Sequence, residues 1–337
     1  MGSNHEVYTL SNPSNGSYFP PESLPFMKIL NATETRTALP FDRLIEALRR
    51  MFVEGCEVPL RHTHTLKASD GSQGTVLIMP AWRADRYLGI KTVNIFPGNS
   101  ARGLPGLFAT YVLYDARTGE PLAHIDGNEI TARRTAAASA LAASMLARPN
   151  ARRLLVVGAG RVASLIPEAY RQVLPIEEVQ VWARKASQAQ LLVNELKADG
   201  IAASVAIELS RSAARADIVS CATLATNPVI EGAWLSPGNH LDLIGSFTPT
   251  MREADDACFA GASLFVDTTE ALQKSGDLLG PMSRGVFLAD DVCGTLENLC
   301  RGKVSGRQSE DQRTVFKSVG TALEDLAAAA LVFEGSA

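Results

Sequence analysis

A strand that runs into a glycine-rich turn, RRLLVVGAGRVA at residues 152–163, constrains this chain more than any other stretch. The apolar run at 154–157 is typical of a buried parallel strand. The G-x-G-x-x-A pattern that follows permits a tight bend, close approach of a pyrophosphate to the backbone, and close packing of a helix whose N-terminus attracts anions. The stretch therefore predicts a dinucleotide-binding Rossmann domain, with the cofactor at Gly158, Gly160, Arg161, Val162 and Ala163.

The residues after the second predicted strand, 179–182, indicate which dinucleotide is bound. An acidic residue there would bind the ribose 2′-hydroxyl of NAD. This chain has Arg184 and Lys185 instead, and both cations suit a 2′-phosphate. We predict NADPH/NADP as the cofactor, with NAD(H) less favoured; the alternative for these residues is a solvated basic turn.

Strands and helices alternate after residue 152, with further strands expected at 203–207, 217–222, 240–245 and 264–267, which indicates a doubly wound parallel sheet. Before it, a helix at 41–54 and short-turned strands at 58–66, 75–82, 87–95, 108–114 and 121–126 predict an antiparallel or mixed sheet. Residues 1 to about 30 are expected to be an irregular arm, 129–146 a bridging helix, and 312–331 a returning helix. The fold class is thus α/β: a Rossmann domain (136–311) plus an α+β substrate-binding and dimerisation domain (1–135 with 312–337).

Composition limits the possible partners. The 337 residues carry a net charge of −4 and no dense Lys/Arg stripe, so we expect no nucleic acid partner. No apolar run approaches a membrane span, and no signal peptide is recognised, so we expect no membrane partner. The five cysteines are scattered without a C-x-x-C pair, which predicts reduced thiols in the cytoplasm and no metal site.

Three cations in the first domain are candidates for chemistry. Lys91 lies within an apolar strand, where it either points to water or belongs to a site, because lysine is almost never buried unpaired. Arg61 follows the stretch VPL, and Arg134 lies in a helix rich in alanine. Each has an ordinary structural explanation when taken alone.

Several motifs together resemble the ornithine cyclodeaminase/mu-crystallin family. They are the stretch from PAWRADRYLGIKTVNIF to TARRTAAASALAA at 80–143, the GAGRVA turn, and GRQSEDQRTVFKSVGTALEDLAAA at 306–329. The resemblance covers about residue 40 onward and implies a homodimer whose split N- and C-terminal domain forms the interface and substrate pocket. It also implies that Arg61, Lys91 and Arg134 bind the substrate carboxylate.

One position departs from the cyclodeaminases of that family. They carry an aspartate after a Gly-Gly pair that follows the fifth Rossmann strand, where this chain has Gly245-Ser246-Phe247. A phenyl ring can act neither as a base nor as an ammonium ligand, so the resemblance favours the family's ketimine reductases. Phe247 and Ser318 are then expected at the substrate and Thr223 and Val319 at the cofactor, with Lys91 as the catalytic residue that supplies or relays a proton.

The predicted reaction is NADPH-dependent reduction of a cyclic ketimine carboxylate, Δ1-pyrroline-2-carboxylate to proline or Δ1-piperideine-2-carboxylate to pipecolate. Ring size and stereochemistry stay open. Three alternatives remain: an alanine dehydrogenase of the same family, an ornithine cyclodeaminase, and a non-catalytic NADPH-gated ligand-binding protein.

Overall fold

A computed structural model describes residues 27–69 and 71–336. The strands fall into two sheets. The first contains Lys28–Leu30 (β1), His62–Lys67 (β2), Gln73–Trp82 (β3), Tyr87–Ile95 (β4), Leu107–Asp115 (β5) and Pro121–Asp126 (β6). The second contains Arg153–Val157 (β7), Glu178–Trp182 (β8), Ala203–Val205 (β9), Ile218–Cys221 (β10), His240–Leu243 (β11), Ser263–Val266 (β12), Gly294–Thr295 (β13) and Thr314–Lys317 (β14).

The helices before the second sheet are Ala32–Thr37 (α1), Phe41–Glu54 (α2) and Gly127–Leu146 (α3). Those that follow are Arg161–Arg171 (α4), Ala186–Ala198 (α5), Leu209–Arg215 (α6), Ala271–Lys274 (α7), Gly276–Ser283 (α8), Leu296–Cys300 (α9) and Ala322–Gly335 (α10). In the part of the chain that the structure describes, no helix combines the length and the apolar character needed to cross a bilayer.

The first sheet has the order β1-β6-β5-β4-β3-β2 and is mixed, because β1 runs parallel to β6 while the other pairs are antiparallel. Helices α2, α3 and α10 pack together beside it. Six apolar residues of α2, Phe41, Leu44, Ile45, Leu48, Met51 and Phe52, recur at helical spacing and are buried, so its charged face is left to solvent. Lys91 sits in the middle of β4, opposite Met79 of β3 and Tyr111 of β5.

The second sheet has the order β13-β12-β14-β11-β10-β7-β8-β9, and all of its pairs are parallel. Parallel strands end at one edge, so the loops after β7, β10, β11 and β14 meet there. Helix α3 begins where β6 ends, its N-terminus capped by the Asp126 side chain, and it packs against α2 and α4. It therefore joins the two sheets into one structure.

The predicted α/β class, with a Rossmann-type parallel sheet and a second sheet domain, is confirmed. Three details are wrong. Residues Lys28–Leu30 form an edge strand rather than part of an irregular arm; the rest of that arm, 1–26, lies outside the described residues. The strand expected at 58–66 begins at His62. The segment predicted as helical from 312 first forms β14, whose four residues are all buried between β11 and β12.

The domain boundaries predicted at 135/136 and 311/312 do not coincide with the limits of the observed helices and sheets. The first falls inside the continuous helix α3. The second falls too early, because β14 belongs to the eight-stranded sheet and the chain leaves that sheet only after Lys317.

Candidate active site

A cavity of about 380 Å³ lies where the carboxyl edge of the parallel sheet faces β3, β4 and the first half of α3. Both halves of the chain line it. The first contributes Arg61, Leu77, Met79, Lys91, Val93, Ile95, Leu107, Thr131, Arg134 and Thr135, and the second contributes Gly160, Arg161, Val162, Ala222, Thr223, Leu224, Ile244, Gly245, Phe247, Ser318, Val319 and Gly320. The cavity thus gathers ten of the predicted site residues, from seven separate segments.

The glycine turn has the geometry that a pyrophosphate requires. Gly158 has φ +126°, and a Cβ there would lie 2.5 Å from the carbonyl oxygen of Ala222. Gly160 caps α4 without any side-chain hydrogen bond, and a Cβ on it would meet nothing within 4 Å. Ala163 is fully buried at the start of that helix. Bare backbone beside open space at a helix N-terminus fits a dinucleotide phosphate.

Arg184 and Lys185 lie outside the cavity lining, after β8, and Lys185 is the N-cap residue of α5. Both are exposed. This is the strand end where a Rossmann domain meets the adenosine ribose. Both cations are therefore open to solvent at the expected position.

Lys91 is 1 % exposed and faces the cavity. Its Nζ lies 2.6 Å from Oδ2 of Asp325 in α10 and donates to the hydroxyl of Thr131 at 3.4 Å. Burial lowers the pKa of the ammonium to about 8; Asp325 opposes this shift and Arg134 adds to it. The lysine is therefore a buried cation with a pKa close to neutrality.

Arg134 is held by the same helix. Its Nε donates to Asp325 at 2.9 Å and its Nη1 to Glu324 at 2.6 Å. Burial acts to lower the pKa of the guanidinium, but the two carboxylates raise it above its usual value. Two of its three nitrogens thus donate to carboxylates of the protein, while the residue also lines the cavity.

The two carboxylates that contact Arg134, Glu324 and Asp325, have pKa values shifted in opposite directions. Burial raises the pKa of Glu324 to about 7. Burial also acts to raise the pKa of Asp325, but Lys91 and Arg134 outweigh it, so this pKa lies below its usual value. Asp325 is therefore the ionised centre of the cluster.

The third predicted cation, Arg61, is held by the loop that follows β14. Arg61 donates through Nη2 to the carbonyl of Gly320 at 3.1 Å, and the same atom lies 3.7 Å from Glu270. Asp267 accepts the backbone N–H groups of Val319 and Gly320 at 2.8 and 2.6 Å. Gly320 has φ +78°, and a Cβ there would lie 2.5 Å from Nη1 of Arg134. Only glycine fits this position.

Glu253 is a further buried carboxylate, and it connects two loops that line the cavity. Glu253 accepts the backbone N–H and the hydroxyl of Thr223, at 2.7 and 2.8 Å, and the N–H of Gly245 at 2.6 Å. It thereby ties the loop after β10 to the loop after β11. Burial raises the pKa of Glu253 to about 7.

The rest of the wall is apolar, formed by Leu77, Met79, Val93, Ile95, Leu107, Ile244 and Phe247. Among the described residues, none that lines the cavity is an aspartate or a glutamate. Phe247 is 44 % exposed at the mouth. The cavity thus combines clustered cations with an apolar wall and, among its described lining residues, has no anion to receive a ligand's amine.

The sequence indicated the cations and the glycine turn but missed four buried carboxylates that hold the cations or the loops around the cavity: Glu253, Asp267, Glu324 and Asp325. Acidic residues in the first turn of a helix are ordinary partners of the helix dipole, which hid Glu324 and Asp325. Asp267 ends a strand that the sequence did predict, so its position at the carboxyl edge was the available signal.

The family model for the ornithine cyclodeaminase/mu-crystallin family matches residues 27–337. A Δ1-pyrroline-2-carboxylate reductase of Paracoccus denitrificans is 45 % identical, over 81 % of this chain and 89 % of the relative. The structure of the Thermococcus litoralis Δ1-pyrroline-2-carboxylate reductase in complex with NADH and L-proline is similar at a TM-score of 0.86, with 32 % identity over 92 % of this chain and 97 % of that one.

An archaeal alanine dehydrogenase dimer with bound NAD is similar at a TM-score of 0.84, with 31 % identity over 92 % of this chain and 96 % of that one. These two structures share both the parallel sheet and the second sheet domain described above. The resemblance seen in the sequence motifs is confirmed. This chain belongs to the ornithine cyclodeaminase/mu-crystallin family.

Proposed function

We propose that this protein is an oxidoreductase that reduces the C=N bond of a small cyclic ketimine carboxylate, with NADPH as the donor. Δ1-Pyrroline-2-carboxylate, giving proline, is the leading substrate, and Δ1-piperideine-2-carboxylate, giving pipecolate, is the second. The observation that carries the proposal is a cavity in which Arg61, Lys91 and Arg134 lie beside an apolar wall, with no acid among its described lining residues. A cyclic ketimine carboxylate has one anion, a hydrocarbon ring and no free ammonium group.

The named relatives support the reaction class. Reductases of Δ1-pyrroline-2-carboxylate appear both among the similar sequences and among the similar structures. A cyclodeaminase would need an acid near the reacting amine, and Phe247 supplies none.

The chain's own residues would bind and orient the substrate. Arg61 and Arg134 would hold the carboxylate, and charge-assisted hydrogen bonds in a dry cleft are strong. Lys91 lies close enough to Arg134 to act on the same substrate group, and as a cation it would hydrogen-bond the carboxylate or give a proton to the imine nitrogen. Phe247, Ile244 and Ser318 would close the pocket around the ring and exclude water.

Gly158, Gly160, Arg161, Val162 and Ala163 would hold the pyrophosphate, Thr223 and Val319 the nicotinamide, and Arg184 and Lys185 the 2′-phosphate. NADPH, when bound, supplies the hydride. Two similar structures contain NADH and NAD, so the preference for NADPH rests on Arg184 and Lys185.

We expect at least a tenfold preference for NADPH over NADH in kcat/KM, since one charge-assisted contact contributes about 1.5–3 kcal/mol. Arg184→Ala should remove most of it by raising the KM for NADPH, while the kinetics with NADH change little. Arg171→Ala, on the exposed end of α4, is a matched control for the loss of one positive charge. Equal kcat/KM for the two cofactors in the unmutated protein would exclude the preference.

A homodimer and a cytoplasmic location belong to the same proposal. Every residue of β2, an edge strand of the first sheet, is exposed, and Leu60 and Leu66 make part of this surface apolar. A second copy would cover this surface. Analytical ultracentrifugation tests it: a monomer at micromolar concentration would contradict the dimer. The five free cysteines fit a reducing compartment.

The central experiment measures NADPH oxidation with the five- and six-membered ketimines, with pyruvate plus ammonia, and ammonia release from ornithine. We expect turnover with a cyclic ketimine and none above background with the other two. Faster reduction of pyruvate plus ammonia would identify an alanine dehydrogenase. Ammonia from ornithine would identify a cyclodeaminase, and binding without turnover a ligand-binding protein.

A further inference from the structure

We propose that Asp325 is a positioning residue that keeps Lys91 protonated and fixed in the cavity, a role that its neighbour Glu324 does not share. This inference rests on the proposed function, because its effect is read through ketimine reduction. It assigns a separate task to each of two adjacent acids on one helix turn.

The contacts separate the two acids. Asp325 contacts both cations: its Oδ2 lies 2.6 Å from Nζ of Lys91, and its Oδ1 accepts Nε of Arg134 at 2.9 Å. Among the described residues, the ion pair of Glu324 is with Arg134, at 2.6 Å. Both acids are fully buried. Loss of charge at Asp325 therefore affects the lysine directly, whereas loss of charge at Glu324 reaches it only through the arginine.

The same contacts also fix the position of the Lys91 ammonium group. Lys91 comes from the middle of β4, whereas Asp325 comes from the first turn of α10, which packs against that strand. Asp325 thus determines where the ammonium group lies as well as its charge. Within the described residues, Nζ also donates a hydrogen bond to the Thr131 hydroxyl, at 3.4 Å.

The charges around Lys91 determine its protonation state. Asp325 is the carboxylate in direct contact, while Arg134 and Arg61 both disfavour a further positive charge. Burial raises the pKa of Tyr111, on the neighbouring strand, well above its usual value, so this phenol stays neutral. With the pKa of Lys91 already lowered to about 8 by burial, the ammonium group depends on Asp325 to stay charged at neutral pH.

A protonated Lys91 matters to the proposed reaction. The Nζ–H bond would break as a new N–H bond forms on the imine nitrogen, and the hydride from NADPH would add to the adjacent carbon. The lysine would then be a neutral amine and would recover its proton from water. If Lys91 lost its proton already below neutral pH, it could not donate a proton to the imine nitrogen at neutral pH.

The test compares the pH profiles of kcat/KM for one ketimine in Asp325→Asn and Glu324→Gln. An opposite charge in contact shifts a pKa by about 1–3 units. We expect the alkaline limb of Asp325→Asn to move to lower pH by at least about one unit. We expect Glu324→Gln to raise the substrate KM while its alkaline limb stays in place. Using one substrate cancels the titration of the imine itself.

Two further variants keep the inference testable if Asp325→Asn does not fold. Lys91→Arg carries a cation that cannot give up its proton in this pH range, so kcat should fall at every pH and the remaining alkaline limb should be that of the imine substrate alone. Asp325→Glu keeps the charge and changes its position, so kcat should fall while the limb stays in place. An undiminished kcat in Lys91→Arg, an equal shift of the limb in both acid variants, or a shift in Asp325→Glu would overturn the inference. Absence of ketimine turnover in the unmutated protein would instead refute the proposed function.

Discussion

Two aspartates, Asp325 in the candidate site and Asp242 in the parallel sheet, are both completely buried, yet they have opposite electrostatic character. Asp325 contacts Lys91 and Arg134 directly. Asp242 accepts three hydroxyl groups, from Ser139 at 3.1 Å, Tyr170 at 2.8 Å and Ser220 at 2.6 Å. Burial raises the pKa of Asp242 to about 6, whereas the cations hold the pKa of Asp325 below its usual value.

For these two equally buried acids, the partners decide whether the pKa is raised or lowered. Hydroxyl groups lower the pKa of Asp242 without overcoming desolvation. The three hydroxyl groups that donate to Asp242 come from α3, α4 and β10, so this acid joins two helices to the sheet. The two cations that Asp325 contacts line the cavity of the candidate site.

The largest effect on activity is expected when one of the three clustered cations is removed. Arg134→Met should lower kcat/KM for the ketimine by about two orders of magnitude or more, since a charged partner is lost in a dry site. It should also reduce the free energy of unfolding by about 3–5 kcal/mol, because Glu324 loses its ion pair in the interior and Asp325 keeps only Lys91.

Kinetic assays and urea denaturation measure the two effects. NADPH affinity in the folded variant should change little, since Arg134 comes from the substrate half. Loss of cofactor binding together with turnover would make Arg134 a purely structural residue.

A smaller effect, of opposite sign, is expected at Asp242. Its folded pKa of about 6 lies above its ordinary value, so between these two pH values the folded state holds a proton that the unfolded state has lost. Stability due to this group is therefore present at low pH and lost as the pH rises through about 6.

Asp242→Asn removes that dependence. Relative to the unmutated protein, its free energy of unfolding should rise by about 2 kcal/mol between pH 4.5 and 7.5, from urea denaturation at each pH. Taking the difference between the two proteins cancels other titrating groups such as Glu253. A difference that does not change with pH would show that Asp242 is ionised throughout, like Asp325.

The smallest effect is expected from a new acid at the cavity mouth. Phe247→Asp places a carboxylate where the side chain is 44 % exposed, so it should ionise and repel an anionic substrate through partly hydrated space. We expect kcat/KM for the ketimine to fall by about tenfold or less. Phe247→Asn is the uncharged control.

Ammonia release from ornithine should stay at background in Phe247→Asp, because the rest of the pocket is unchanged. A rate of ketimine reduction equal to that of Phe247→Asn would show that charge at this position is not felt by the substrate.

The sequence predicted what depends on local pattern. The strand, the glycine turn and the helix at 153–171 are contiguous in the chain, and Lys91 drew attention because it interrupts an apolar strand. The sequence could not predict β14, because a four-residue strand that ends in a charged residue gives almost no periodic signal. Lys317 is nevertheless fully buried and donates to the carbonyl of Leu243. Nor could it predict that Asp325 lies between Lys91 and Arg134, because that contact joins residues 191 or more positions apart.

That separation also sets an order for synthesis of the protein. Arg134 leaves the ribosome 191 residues ahead of Asp325, and the whole eight-stranded sheet is made in between. At about 5–20 residues per second, the arginine waits roughly 10–40 seconds for its partner. During this time two cations of the nascent chain lack the acids that permit their burial. The first half of the chain, although translated first, therefore cannot complete its buried ion pairs until the last helix has been made.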